Sequence, residues 1–146
     1  MNYRVYRYDG YFACISSFLD YYQHSMELLS NAKAREMLFN VENRPVYTKV
    51  RNSTPTYYSD KSSIKNSMVA DGSYIEGTVE NSIIFRGVKV GRNATVKNSI
   101  LMQDTIVGDG AFLNYVITDK NVVLREGLML CGADSQPFYV AKGKML

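Results

Sequence analysis

The sequence predicts a mainly β chain, a parallel β-helix of hexapeptide repeats preceded by a small α/β segment. Three observations predict it. Branched aliphatic residues recur in three columns: Ile64, Val79, Val96, Leu113; Val69, Ile84, Leu101, Ile117; and Ile75, Val90, Val107, Val123. Steps in the first column are 15, 17 and 17 residues, each roughly three hexads and therefore one coil of a three-sided solenoid. Small residues stand two positions earlier: Ser67, Ser82 and Ser99 in one stack, Ser73 and Thr105 in another, Gly77, Ala94 and Ala111 in the third. A narrow prism holds one large side chain per face, so large and small alternate inward.

The third observation is the corners. Gly72, Gly87, Asp104 and Lys120 fall at one, and Gly77, Asn93 and Gly110 near another, where a left-handed backbone suits most of them. Asn66-Ser67 recurs as Asn81-Ser82 and Asn98-Ser99, and stacked asparagine amides bond along such a column. A β-sandwich also uses short apolar runs between turns, but it requires no common register across four segments.

In chain order, Tyr3 to Tyr8 alternates apolar and polar residues, Asp9-Gly10 follows, and Tyr11 to Ser16 continues, which reads as a β-hairpin. Ser17 with Asp20 resembles a capping box, and Phe18, Tyr22, Met26 and Leu29 lie on one helical stripe. Asn31 caps a second helix from Ala32 to about Phe39. Val46 to Val50 reads as a strand. Residues 1–51 thus form an α/β junction segment, 52–63 a linker interrupted by Pro55, and 64–146 the β-helix. The hairpin and helices are expected to cover the first coil, and Gln136 to Val140 to return over the last.

A chain of 146 residues, 46% hydrophobic and 21% charged, can bury one core. Its net charge of +3 comes from 17 basic and 14 acidic residues spread along the chain, so it argues for neither nucleic acid nor membrane binding. No apolar run approaches the ~20 residues that span a bilayer, and the first residues lack a signal-peptide core, so a cytoplasmic location is expected. Cys14 and Cys131 are too few for a disulfide framework or zinc site and sit among apolar neighbours, which suggests packed free thiols.

Chemistry-bearing motifs are scarce. The single histidine, His24, lies on the first helix away from its apolar stripe. No phosphate loop is present, and no serine or cysteine stands near a base. No catalytic residue and no metal ligand is assigned. Arg86, Lys89, Arg92 and Lys97 form a basic cluster with two readings, a site that attracts phosphorylated small molecules or a solvated face that discourages edge pairing.

The run from Val79 to Leu124 resembles the C-terminal domain of bacterial glucose-1-phosphate adenylyltransferase (ADP-glucose pyrophosphorylase), most closely its GlgD-type regulatory subunit. Val46-Tyr47-Thr48-Lys49, the Pro55 linker and the helix before them extend the resemblance over the whole chain. It implies a left-handed β-helix, although parallel crossovers are right-handed in ~98% of cases. It also implies a nucleotidyltransferase domain upstream of residue 1, to which magnesium and ATP belong, so the chain carries no cofactor of its own and makes no ADP-glucose alone. Catalytic subunits place a magnesium-holding aspartate in the stretch that matches Tyr11 to Ser17. Cys14 stands there, and a neutral thiol lacks the hard anionic oxygen that magnesium prefers.

Thr118-Asp119-Lys120-Asn121 resembles a motif whose lysine contributes to effector binding in plant members, while Ser53-Thr54-Pro55 departs from the Leu-Pro-Pro usual nearby. Lys120 thereby joins Arg86, Lys89 and Arg92 as candidate effector ligands, with a solvated corner lysine as the other reading. The implied function is regulation and oligomerisation in glycogen biosynthesis, paired with a catalytic adenylyltransferase subunit in a homo- or hetero-oligomer. Two alternatives remain: a hexapeptide-repeat acyltransferase, whose interface histidine His24 does not match, and a free-standing protein-interaction solenoid.

Overall fold

The computed structural model describes residues 3–146. It is a parallel β-solenoid of about four turns preceded by two helices. Successive turns stack their strands into three five-stranded parallel sheets. The first face stacks β1 (Tyr57–Tyr58), β4 (Tyr74–Ile75), β7 (Lys89–Val90), β10 (Ile106–Val107) and β13 (Val123–Leu124). The second stacks β2 (Ser63–Lys65), β5 (Thr78–Glu80), β8 (Thr95–Lys97), β11 (Phe112–Asn114) and β14 (Met129–Cys131). The third stacks β3 (Met68–Val69), β6 (Ile83–Ile84), β9 (Ile100–Leu101), β12 (Val116–Thr118) and β15 (Phe138–Val140).

Inward positions are sealed. Ile75, Val79, Ile84, Val90, Val96, Leu101, Val107, Leu113 and Leu124 are buried in one core. Ser73, Gly77, Ser82, Ala94, Ser99, Thr105 and Ala111 of the small inward stack are buried, whereas Ser67 and Ile64 in the first coil stay partly exposed, and Ser82 and Ser99 do more than fill space. Ser82 Oγ accepts from the Ser99 amide at 3.1 Å and Ser99 Oγ from the Val116 amide at 3.0 Å, so each hydroxyl satisfies a backbone donor of the next coil. Coil length contracts at one place. Only three residues separate Ile75 from Val79, whereas five separate Val90 from Val96, and every column step that crosses this corner is 15. Gly77 permits the contraction, because a Cβ there would collide with the carbonyl oxygens of Ala94 and Gly91.

Two columns slip by one residue in the fourth coil. Leu101 pairs with Thr118, not Ile117, and Val107 pairs with Leu124, not Val123. One residue turns a side chain to the other face of a strand. Ile117 therefore points outward, aligned with Ile100. The corner shifts with it: Gly72, Gly87, Asp104 and Asn121 have positive φ, and Asn121 replaces Lys120 at that position. The last turn is longer, with Thr118 pairing with Val140 across a loop closed by Ala133 and Gln136. Residues 138–140 are thus a further rung of the third face, not a flap over the end.

The solenoid also begins earlier than residue 64. Tyr57 and Tyr58 pair with Tyr74 and Ile75, and Thr54 O accepts from Gly72 N at 2.9 Å, so the expected linker already supplies the first rung. The hairpin expected over Tyr3–Ser16 does not form, and neither does the strand over Val46–Val50. Most of both segments is exposed, with no sheet edge beside them to complete a ladder.

The helices match expectation. α1 spans Phe18–Ser30 and α2 spans Ala32–Phe39. Ser17 Oγ accepts from Asp20 N at 3.0 Å, while Asp20 Oδ2 accepts from the amide and hydroxyl of Ser16 at 3.1 and 2.7 Å. These bonds hold the Asp20 carboxyl below the usual carboxylate range. The helices do not cap the first coil; α1 lies along the third face instead.

Replacing Val90 with Asp buries an unpaired charge between Ile75 and Val107. The expected loss is on the order of 4 kcal/mol, read as a lower denaturation midpoint; an unchanged midpoint contradicts the inward assignment of Val90.

Candidate functional site

The best-formed concave region lies where α1 meets the third face. That face presents Met68, Ile83, Ile100, Ile117 and Tyr139 outward, one per rung. Rungs are about 4.8 Å apart, so five of them span nearly the ~20 Å length of a 13-residue helix. Contacts follow that match. Phe18 stacks on Tyr139 with centroids 4.6 Å apart, Tyr22 is buried against Ile100 and Ile117, and Leu28 and Leu29 border Ile64 and Met68.

Tyr22 is the anchor. It is 2% exposed, its hydroxyl donates to the Asn98 carbonyl at 2.8 Å, and its ring meets Tyr115 at 6.4 Å. Burial, with lesser effects from Asp134 and Tyr115, pushes its phenol well above the ordinary value, so it stays a donor. Asn98 and Tyr115 both stand at the left-handed corner that leads into the third face. Tyr22 therefore fastens α1 to the corner of the coils.

Beside Phe18 opens a groove of ≈ 550 Å³ lined by Ile15, Tyr21, Met102, Ile117, Asp119 and Tyr139. Its walls are largely apolar. The Tyr139 hydroxyl donates to Asp119 Oδ2 at 3.3 Å, while desolvation and the Asp119 charge raise its pKa. Asp119 is the one carboxylate among the described lining residues, and the hydroxyl of Ser16, also on the lining, is held by Asp20 Oδ2 at 2.7 Å at the start of α1. Among the described residues no group of three His, Cys, Asp or Glu side chains is placed to hold a metal.

The basic residues singled out from sequence lie on different parts of the prism. Arg86 sits at the corner between the third and first faces, where its Nε meets Asp71 Oδ1 at 2.8 Å and its Nη1 donates to Lys49 O at 3.0 Å. The Arg86 hydrogen bond depresses the Asp71 carboxyl. The resulting stabilisation is present at neutral pH and is lost as pH falls through that lowered folded value. Arg92, at the corner between first and second faces, makes a forked contact to Asp109 Oδ2 at 3.2 and 3.0 Å. Lys97 on the second face meets Glu80 at 3.1 Å. Lys89 projects from the first face. Lys120 is exposed two rungs from Arg86 in the same corner column, with Gln103 between them. Among the described residues Lys89 and Lys120 make no ion pair, whereas Arg86, Arg92 and Lys97 are already neutralised locally.

Both cysteines are free and exposed rather than packed. Cys14 belongs to the extended segment before α1. It offers a thiol without a neighbouring carboxylate cluster, which does not fit a magnesium site. His24 Nδ1 is 3.7 Å from Glu27 on α1, outside the coils.

Residues 53–143 match the family described as GlmU-like, C-terminal hexapeptide. The chain belongs to that family. It is 46% identical over 138 residues to the glycogen biosynthesis protein GlgD of Bacillus subtilis, covering 94% of this chain and 40% of that protein. GlgD of Geobacillus stearothermophilus is 49% identical over 119 residues, covering 82% and 34%. A glucose-1-phosphate adenylyltransferase of Mycoplasma mobile is 33% identical over 89 residues, covering 61% and 23%. The chain is homologous to the C-terminal part of GlgD and spans about 40% of the B. subtilis protein's length.

Sequence reasoning missed the third face as a docking surface. A signal was available, since Met68, Ile83 and Ile100 keep the coil spacing at outward positions.

Tyr22→Phe leaves the half-buried Asn98 carbonyl without its donor and is expected to cost about 1–2 kcal/mol. Tyr22→Ala removes the anchor ring, an expected loss of about 3–5 kcal/mol, with helical ellipticity melting before the β signal. A single coincident transition at wild-type stability contradicts this role.

Proposed function

We propose that the chain is the regulatory and assembly domain of a GlgD-type ADP-glucose pyrophosphorylase subunit, acting in cytoplasmic glycogen biosynthesis by pairing with a catalytic adenylyltransferase subunit. The observation that carries this reading is an apolar, aromatic surface most exposed on the segments flanking the helices. Tyr3, Val5, Tyr6, Phe12, Tyr47 and Val50 are each at least 80% exposed, more than any large apolar residue of the coils. Isolated exposed apolar residues are ordinary, but a concentration of this kind marks a docking surface. GlgD relatives have more than twice this length, and a nucleotidyltransferase domain resting on these segments accounts for their character.

Nucleotidyl transfer, with its magnesium and ATP, belongs to that domain and to the catalytic subunit. Cys14 gives this chain no carboxylate to share in it. Regulation is placed on the basic corner. Lys120, which makes no ion pair among the described residues and stands beside Asp119 at the rim of the groove, is the primary candidate for a phosphorylated effector. Arg86 stands in the same column, and Lys89 and Arg92 are auxiliary candidates that would have to reorganise to join it.

Co-expression with a tagged glucose-1-phosphate adenylyltransferase catalytic subunit tests the reading. The chain is expected to co-purify in a defined ratio, and alone to form no ADP-glucose from glucose 1-phosphate and ATP. Failure to co-purify, or product formed by the isolated chain, overturns it.

A further inference from the structure

The three faces of the prism differ in what covers them. The third is covered by α1, and the second carries ion pairs of Glu80 with Lys65 at 3.9 Å and Lys97 at 3.1 Å. The first is uncovered, and along it runs a trough of ≈ 370 Å³. Ile75, Val90, Val107 and Leu124 turn inward there, so the residues after them, Glu76, Gly91, Gly108 and Arg125, stack in one outward column. The two glycines make the floor. Glu76 and Arg125 stand at its ends, three rungs or about 14 Å apart. A Cβ at Gly91 would strike Asp109 and one at Gly108 would strike Glu126, so the stacking of the coils keeps this floor bare. One wall is the parallel column Tyr74, Lys89 and Ile106, and Asp109 borders the other side.

Charge along the trough is balanced. Glu76 and Lys89 stand one rung apart, Arg125 closes the far end, and Asp109 is held by Arg92 at 3.0 Å. Among the described residues Glu76, Lys89 and Arg125 make no ion pair within the chain. The backbone of the floor is already spent. Gly91 N and Gly108 N donate to the Val107 and Leu124 carbonyls at 2.9 and 2.8 Å, and their own carbonyls accept from Ala94 N and Ala111 N at 3.2 and 3.3 Å. An extended peptide laid here finds no ladder partner, so recognition falls to side chains. Tyr57 stacks on one side of the Tyr74 ring with centroids 4.5 Å apart. Because the two stand on adjacent rungs, the other side of the Tyr74 ring turns down the column toward Lys89 and the trough.

We infer that the trough is a binding site for a neutral, linear oligosaccharide. A pyranose carries C–H bonds on its faces and hydroxyls around its edge. The C–H bonds pack against the negative face of a tyrosine ring, which Tyr74 offers. Each hydroxyl both donates and accepts, so one chain of rings can donate to Glu76 and accept from Lys89 and Arg125. An anion or a cation would meet an end post of its own sign. A chain lying along the solenoid axis meets Tyr74, Lys89 and Arg125 in turn, and the length between the end posts suits several linked rings better than one. This inference goes beyond the assembly reading and does not rest on it.

Isothermal titration calorimetry on the 146-residue chain tests it with maltoheptaose and with cellohexaose. An uncharged hexapeptide of glycine, serine and asparagine with blocked ends is the third arm. At least one of the two oligosaccharides is expected to bind, and the peptide is not. Tyr74→Ala, Glu76→Ala and Lys89→Ala are each expected to weaken binding at least about tenfold, and Met129→Ala on the second face is expected to leave it unchanged. Glu76→Ala and Lys89→Ala change only the surface, so they test the trough even where Tyr74→Ala lowers stability. No binding of either oligosaccharide at millimolar concentration overturns the inference. So does binding that ignores Glu76 and Lys89, or binding of the peptide in place of the sugars. Co-purification with a catalytic subunit is read separately, so loss of either result leaves the other standing.

Discussion

Register between coils is the constraint on which this structure depends, and it is held at the corners. Each turn from the second face into the third passes through a residue with left-handed backbone: Asn66, Asn81, Asn98, then Tyr115, at φ 44, 45, 47 and 55°. Asparagine tolerates this conformation better than most residues. Its amide also extends along the stack, with Asn66 Nδ2 donating to Asn81 Oδ1 at 2.8 Å, Asn81 to Asn98 at 3.4 Å and Asn98 to Asn114 at 2.9 Å. A strand of two or three residues has too few ladder bonds to set its own alignment. A column of identical corners sets it for all three faces, and the buried serines just beyond reinforce it through backbone donors.

The same column explains how the solenoid is joined to the helices. At the fourth rung the corner residue is Tyr115, and the amide of the ladder is supplied one position earlier by Asn114. That substitution places an aromatic ring where Tyr22 docks, next to the Asn98 carbonyl that accepts its hydroxyl. The register device and the clamp for α1 are therefore one feature. Of the three faces, one is thereby closed by helix, one is guarded by ion pairs and one is left apolar, and the extended segments flanking the helices carry the most exposed aromatic residues.

The solenoid was legible wherever large and small residues alternated without competition. From Ile64 to Leu113 the small residue two positions earlier marks which aliphatic of pairs such as Ile83-Ile84, Ile100-Leu101 and Ile106-Val107 turns inward, and those columns are the observed ones. In the fourth coil Val116, Ile117 and the run Val122-Val123-Leu124 offer aliphatics on both faces of a strand, so periodicity cannot choose between them. Ile117 was the harder case, since it faces outward yet is buried under α1, a tertiary fact with no local trace. The start at Tyr57 was hidden by aromatic residues in place of branched aliphatics and by Pro55. The hairpin at Tyr3–Ser16 had the right alternation and turn but no sheet to join. Capping chemistry was readable from Ser17, Asp20 and Asn31 because it is local. The basic residues are a different case: close in sequence, they rotate onto different parts of the prism, and Arg86 and Arg92 hold carboxylates there.

Asn81 sits in the middle of the corner column, so equilibrium denaturation of Asn81→Ala beside Asn81→Gly tests the register account most directly. Both changes remove the amide that bonds to Asn66 and Asn98, and only alanine also strains a left-handed backbone. The account predicts a loss of about 3 kcal/mol for alanine and about 2 kcal/mol for glycine at unchanged denaturant slope. Wild-type stability in both variants would contradict it.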